Sequence, residues 1–278
     1  MKKGFALAVA LCLSVVLFSE PGEAKEKLVM GVHPYKPAIE LYKKFKPIAE
    51  YLEKELGVTV DLSIGLSYAD TVSKIGKGDF HLAFLGPTLY VEAQDTYGVL
   101  PLAQVVNNGS PTFNGVIVVK KGSMITSLNQ VKGKKFAFGS RDSTLNHVVP
   151  LWMLMDAGVK LSNLKEYMFL KTHDNVALSI LRGTFDAAGL QPDVAEQYKS
   201  QGIEIIATSP PLPEHVFVAT KTIDAATVQK LQKALLSPKA VPLYKEIKDT
   251  ISGTVKFSDQ DFNVLRKIMK EVNPYLNK

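Results

Sequence analysis

Short apolar runs alternate with amphipathic helical patterns along nearly the whole chain, and this alternation most narrows what the chain can fold into. An apolar run of four to six residues followed by a stretch with a 3.6-residue period marks a βα unit, so the expected class is α/β with largely parallel sheets. The first run, Leu28-Val29-Met30-Gly31-Val32, precedes a helix over 38–56. There Ile39, Tyr42, Phe45, Ile48, Ala49, Leu52 and Leu56 recur at three- and four-residue steps, and Gly57 supplies a stop. Further strands are expected over 58–64, 80–85, 102–106, 116–119, 135–138, 167–170, 185–190, 204–207 and 215–219, and helices over 68–75, 144–157, 175–181 and 194–199.

The βα units fall into two sets. Extended segments near 115–119 and 215–219 separate them, which predicts two lobes joined by two hinge strands. Residues 25–114 plus 218–278 would form the first lobe and 115–217 the second. A chain of 278 residues suits this division, because single cores stop growing beyond about 250–300 residues. The sequence has no internal repeat, low-complexity tract or flexible linker, so the lobes are expected to pack closely and hinge. With 46% hydrophobic and 22% charged residues the chain is no disordered polymer. Its net charge of +6 is enough to draw anions toward a cleft and too thin for nucleic-acid binding.

The amino terminus carries an address. Met1-Lys2-Lys3 is followed by fifteen uncharged residues, Gly4 to Phe18, too few to span a bilayer comfortably. Gly22 and Ala24 then stand at the small-residue positions of a signal-peptide cleavage site, so residues 1–24 read as a secretory signal. Two Lys and two Glu leave with it, which keeps +6 on the mature chain, and so does Cys12, the single cysteine. The expected compartment is the periplasm, where a cysteine-free domain is indifferent to oxidation. The rival is lipidation at Cys12, against which Leu11 stands where a small residue is wanted.

Several polar residues follow directly after a predicted strand and open a helix, the edge at which α/β sheets bind ligands. Phe136-Ala137-Phe138-Gly139-Ser140-Arg141-Asp142-Ser143-Thr144 is the fullest example. A helix N-terminus there offers unsatisfied N–H groups and partial positive charge to an oxyanion, and Ser143 and Thr144 add hydroxyls. Ordinary N-capping by Ser143 or Asp142 accounts for the same residues. Pro150 requires a kink or a restart of the helix that follows. His173 occupies the same kind of edge, as an anion donor or a solvent-facing helix start. So does Asp193, as a ligand group or a first-turn carboxylate. Tyr68 and Thr88 open helices of the first lobe, and either faces a shared cleft or joins the core.

No HExxH, GxSxG, GxxxxGK[ST] or GxGxxG motif is present, and the histidines at 33, 81, 147, 173 and 215 form no i, i+4 pair. No catalytic residue, metal site or cofactor is expected.

Taken together, certain segments resemble the phosphonate/phosphite/phosphate periplasmic binding proteins of ABC transporters, the PhnD-like group. They are Met30-Gly31-Val32-His33-Pro34-Tyr35, Phe45 to Leu52, Ser67-Tyr68-Ala69-Asp70, Asp79 to Pro87, Gly109-Ser110-Pro111, Gly139 to Thr144 with Pro150, His173 to Leu178, and Phe185-Asp186-Ala187-Ala188. The resemblance runs over nearly all of the mature chain. It implies a two-lobed clamshell of the type II-like periplasmic-binding-protein class, with the oxyanion held by Ser143, Thr144 and His173 and flanked by Tyr68. The chain departs from the family pattern at Ser140-Arg141 and at Leu145-Asn146. Phe113 stands where aminophosphonate binders have Tyr. Of two acidic residues for a substrate amine, one falls on Asp193 and the other on His215. These departures imply a smaller or non-amino oxyanion such as phosphite, phosphate or methylphosphonate. The implied partner is an inner-membrane ABC permease, served by a monomer. The alternative is a sensory module of the same fold, acting with a histidine kinase or chemoreceptor.

Overall fold

The computed structural model describes residues 27–276; the signal-peptide and Cys12 expectations lie outside them. Two open sheets, each covered by helices, sit on either side of a two-stranded ribbon. The first sheet begins with β1 (Lys27–Val32), α1 (Ala38–Leu56), β2 (Thr59–Ile64), α2 (Tyr68–Lys77), β3 (Leu82–Leu85), α3 (Pro87–Tyr97) and β4 (Leu100–Asn107). The chain crosses through β5 (Thr112–Phe113) into β6 (Val116–Lys120), β7 (Lys135–Phe138), α4 (Val149–Asp156), β8 (Glu166–Phe169), α5 (His173–Leu181), β9 (Ala187–Leu190), α6 (Pro192–Lys199) and β10 (Ile203–Thr208). It returns through β11 (Leu212–Pro213) to β12 (Val216–Ala219), α7 (Ala225–Leu235), α8 (Val241–Ile247), β13 (Ile251–Val255) and α9 (Asn263–Leu276).

The orders are β13-β4-β12-β3-β1-β2 and β10-β6-β9-β7-β8, with β11 pairing β5 between them. Pairing is parallel in β1/β2, β1/β3, β7/β8 and β7/β9, and antiparallel in β12/β3, β12/β4, β13/β4, β10/β6 and β6/β9. The sheets are therefore mixed where parallel pairing was expected. Strands such as β6 and β12 enter their sheets from the other lobe and so run against the βα strands beside them. Segments 116–119 and 216–219, expected as the crossings, belong to the sheets, and the ribbon lies just before each.

Strand side chains alternate between two cores. In β3, Leu82 and Phe84 join Leu28, Met30 and Val32 on one face, while Ala83 and Leu85 join Leu89 and Tyr90 on the other. In β6, Val116 and Val118 face Val176 and Ile180, while Ile117 and Val119 face the other way. Burial on both faces is why these strands read as unbroken apolar runs. The buried stripe of α1 is Leu41, Phe45, Ile48, Ala49 and Leu52. Ile39 and Tyr42, expected inside, lie outside it, 75% and 47% exposed, because the stripe climbs from Leu41 to Phe45 in a four-residue step. Helix α9 packs on both α3 and α4, and Trp152 Nε1 donates to Glu271 Oε2 at 2.9 Å.

The stretch after β7 is not one helix. A wide turn over Thr144–Val148 comes first, with the Val148 N–H donating to Ser143 O at 3.0 Å, and α4 restarts at Val149. Pro150 has no N–H to give to the Asn146 carbonyl, which accepts from the Gly139 N–H at 2.8 Å. Asn146 thereby ties the turn to the end of β7, and its side-chain amide donates to the Gly189 carbonyl at the end of β9. A β-carbon on Gly139 would lie 1.8 Å from Asn146 Oδ1. Gly139→Ala is therefore expected to destabilise the protein by about 1–3 kcal/mol, the usual cost of overpacking, read as a melting temperature lowered by several degrees.

Candidate functional site

Five helical N-termini converge on one cavity of about 280 Å3 between the lobes. From the first lobe come Tyr68, first residue of α2, and Gly86, Pro87 and Leu89 around the start of α3. From the second come Ser143, Thr144 and Leu145 of the wide turn, His173, first residue of α5, and Gln191, which precedes α6. His33, Tyr35, Phe113 and His215 complete the wall. None of these residues is Lys or Arg. In place of a cationic side chain the site offers helix N-termini and their aligned peptide dipoles, an arrangement that favours small anions.

Of the residues singled out from sequence, the structure brings Tyr68, Ser143, Thr144, His173 and His215 round this cavity. Ser143 caps its turn as well, accepting from the Asn146 N–H at 3.2 Å, so the capping and anion-facing readings describe one residue. Tyr68 and Ser143 line the cavity from opposite lobes, and burial pushes the Tyr68 hydroxyl above its ordinary range. Thr88 is placed behind the cavity. Its hydroxyl donates to the Asp142 carbonyl at 2.6 Å, and Thr144 Oγ1 accepts from the Thr88 N–H at 3.0 Å. With the Thr88 proton so used, the 2.9 Å contact between the two hydroxyls has Thr144 as donor. Thr88 thus acts as a clasp between lobes.

Asp193 also stands apart. It lines an adjoining cavity of about 450 Å3 that shares Tyr35, Gln191 and His215 with the first. There its Oδ1 lies 3.7 Å from Lys248 Nζ, an ion pair beyond hydrogen-bond reach. Glu214 on the same wall is held by His215 Nδ1 at 2.7 Å, by the His215 N–H at 2.8 Å and by Asn107 at 3.1 Å. Burial would raise the Glu214 carboxyl, but the hydrogen bonds and charge of His215 hold it below the usual range.

His33 and Tyr35 are site residues that the site reading of the sequence missed. They follow β1 at the same sheet edge that marked the others, so the strand-then-turn signal was present. His33 Nδ1 donates to the Phe84 carbonyl at 3.1 Å, and its ring is wedged among Tyr35, Tyr68, Phe84 and His215. Burial, helped by the neighbouring His215, pushes its pKa down to about 3. Burial does the same to His173, also to about 3, outweighing Asp174 beside it. Both rings are neutral near pH 7. The Gln191 N–H donates to His173 Nδ1 at 3.3 Å, which leaves the proton on Nε2 as a donor. Among the described residues no group of three His, Cys, Asp or Glu is placed to hold a metal ion.

Two outcomes are expected of this geometry. A β-carbon at Gly86 would meet His33 Nε2 at 3.5 Å and His215 Nε2 at 3.7 Å, ordinary contact distances, and φ there is −70°. Gly86→Ala should fill ligand space without strain, leaving the melting temperature of the empty protein within about 2 °C and weakening ligand binding at least tenfold in calorimetry. Protonating either buried histidine costs folding free energy. The unfolded chain binds those protons between the ordinary value of 6.5 and about 3 while the folded chain does not, so stability falls as pH drops through that window. Melting temperatures recorded from pH 7 to pH 4 should decline less for His173→Gln than for the parent.

The family described as "ABC transporter, phosphonate, periplasmic substrate-binding protein" matches residues 30–262. The chain is 27% identical to the probable ABC transporter phosphite binding protein PhnD1 of Prochlorococcus marinus, over 99% of this chain and 95% of that one. It is 26% identical to the phosphonates-binding periplasmic protein of Escherichia coli, over 84% and 73%. The structure of Prochlorococcus marinus PhnD1 in complex with methylphosphonate superposes with a TM-score of 0.79 at 23% identity, covering 89% of this chain and 98% of that one, and shares its fold.

Proposed function

The chain belongs to the phosphonate periplasmic substrate-binding family of ABC transporters, and on that premise we propose that it captures a small phosphorus oxyanion between its lobes and delivers it to a membrane permease. The observation that carries this reading is the convergence of five helical N-termini on a small cavity without a lysine or arginine. Both lobes line it. A ligand that contacts Tyr68 and the start of α3 on one side, and Ser143, Thr144 and His173 on the other, binds the closed form better than the open one. That difference is what closes a clamshell. No bond is made or broken: the protein works outside the cytoplasmic membrane by binding and release, and the permease reads the closed state.

The walls favour phosphite, phosphate or a small phosphonate without an amine. The cavity is narrow, closed in by the rings of His33, Tyr35, Tyr68, Phe113 and His215. Phe113 offers no hydroxyl. Of the two carboxylates nearby, Glu214 is hydrogen-bonded by His215, and Asp193 lines the adjoining cavity 3.7 Å from Lys248, where a substrate ammonium would have to compete with that lysine.

A thermal-shift and calorimetric panel tests this. Phosphite, phosphate or methylphosphonate at about 1,000 times its dissociation constant should stabilise the protein by roughly 4 kcal/mol, with 2-aminoethylphosphonate weaker. Ser143→Ala combined with Thr144→Val should lower that affinity at least about 100-fold, since hydrogen bonds to a charged group are worth about 1.5–3 kcal/mol each. The empty variant also loses the Ser143 cap and the acceptor of the Thr88 N–H, so it should unfold cooperatively with a melting temperature lowered by several degrees, and the affinity loss is read at a temperature where it is fully folded. No response to any phosphorus oxyanion would refute the reading.

A further inference from the structure

The cavity wall holds a ring nitrogen whose lone pair is fixed by the bond its partner nitrogen makes. His33 Nδ1 carries a proton, because its partner at 3.1 Å is the Phe84 carbonyl, which only accepts. The other nitrogen of the neutral ring, Nε2, therefore bears a lone pair, and it faces the α-carbon of Gly86 on the cavity wall. Turning the ring to present an N–H instead would forfeit the Phe84 bond and the packing against Tyr68 and His215, whose centroids stand 5.2 and 5.7 Å away. His215 spends its Nδ1 proton similarly, on Glu214. The titratable groups facing His33 are Tyr35 beyond β1, Tyr68 of α2, His173 of α5 and the His215–Glu214 pair before β12. Burial holds both tyrosines protonated.

We infer that His33 Nε2 is a hydrogen-bond acceptor built into this cavity, and that it selects oxyanions bringing a proton on one oxygen. Hydrogen phosphate keeps one well above neutral pH, and the monoanions of phosphite and phosphonates keep theirs up to a second dissociation near neutral pH. Sulfate and sulfonates, of the same shape, bring acceptors only. A sulfate oxygen against Nε2 sets lone pair against lone pair in a buried site and leaves the nitrogen unpaired. This rests on the oxyanion-capture reading and adds to it the class that is refused.

The test is calorimetry on the mature chain with methylphosphonate, phosphite, sulfate and methanesulfonate, repeated on His33→Gln, whose amide has an N–H to offer. The parent should prefer the phosphorus ligands at least tenfold, and His33→Gln should narrow the gap at least tenfold. Equal binding of both classes by the parent overturns this inference and leaves capture standing; binding of neither overturns both. A folded His33→Gln with the gap unchanged also overturns it. If that variant does not fold, ¹⁵N NMR of the parent with methylphosphonate decides: an unprotonated, hydrogen-bonded Nε2 on His33 supports the inference, and a covalent Nε2–H refutes it.

Discussion

Everything in this architecture serves the alignment of peptide dipoles on a point that carries no fixed charge. A helix N-terminus is worth little to an anion in water, but several of them aimed into one small, buried space act in a low dielectric and without reorganisation. To aim five, the chain needs two sheets whose carboxyl edges face each other. The mixed strand directions, the two crossings and the strap formed by α9 all follow from that requirement.

At the cavity the lobes are joined by polar side chains. Thr88 reaches across to the Asp142 carbonyl and the Thr144 hydroxyl, while Tyr68 meets Ser143. These bonds reach residues that line the cavity. On the capture reading, a ligand oxygen arriving at Thr144 would compete for a hydroxyl already committed to Thr88, so binding and lobe contact would draw on the same proton. Farther out, Lys36 with Asp174 at 3.8 Å and Lys248 with Asp193 at 3.7 Å pair charges across the cleft. Loose, partly solvated pairs of this kind add modestly to closure.

Much of this was legible in the sequence, for local reasons. Strand 135–138, the capping role of Ser143 and the restart at Pro150 depend on residues close together in the chain, and the expected positions match β7, the wide turn and α4. The sheet-edge rule marked His173 and Tyr68 because a strand ending and a helix starting are both visible in periodicity. Strand direction was not legible, since an apolar run pairs equally well either way and the answer depends on which lobe it enters from. The buried face of α1 was misjudged by one step because Ile39 and Leu41 are both apolar and only tertiary packing chooses between them. Thr88 and Asp193 sit at the right sheet edge, yet what each side chain touches depends on residues 56 and 55 positions away, Thr144 and Lys248.

Phe113 belongs to two structures at once. It is half of a two-residue strand in the ribbon on which the lobes turn, and it is also a wall of the anion cavity. A bend of the ribbon thus reshapes the wall, and a ligand that pushes on the wall loads the ribbon. On the capture reading, a substitution at Phe113 would alter the cavity wall and the ribbon together, so a change in what the cavity accepts would come coupled to a change in how the two sheets are held, and the clasp at Thr88 and the charges along the cleft are where compensation could arise.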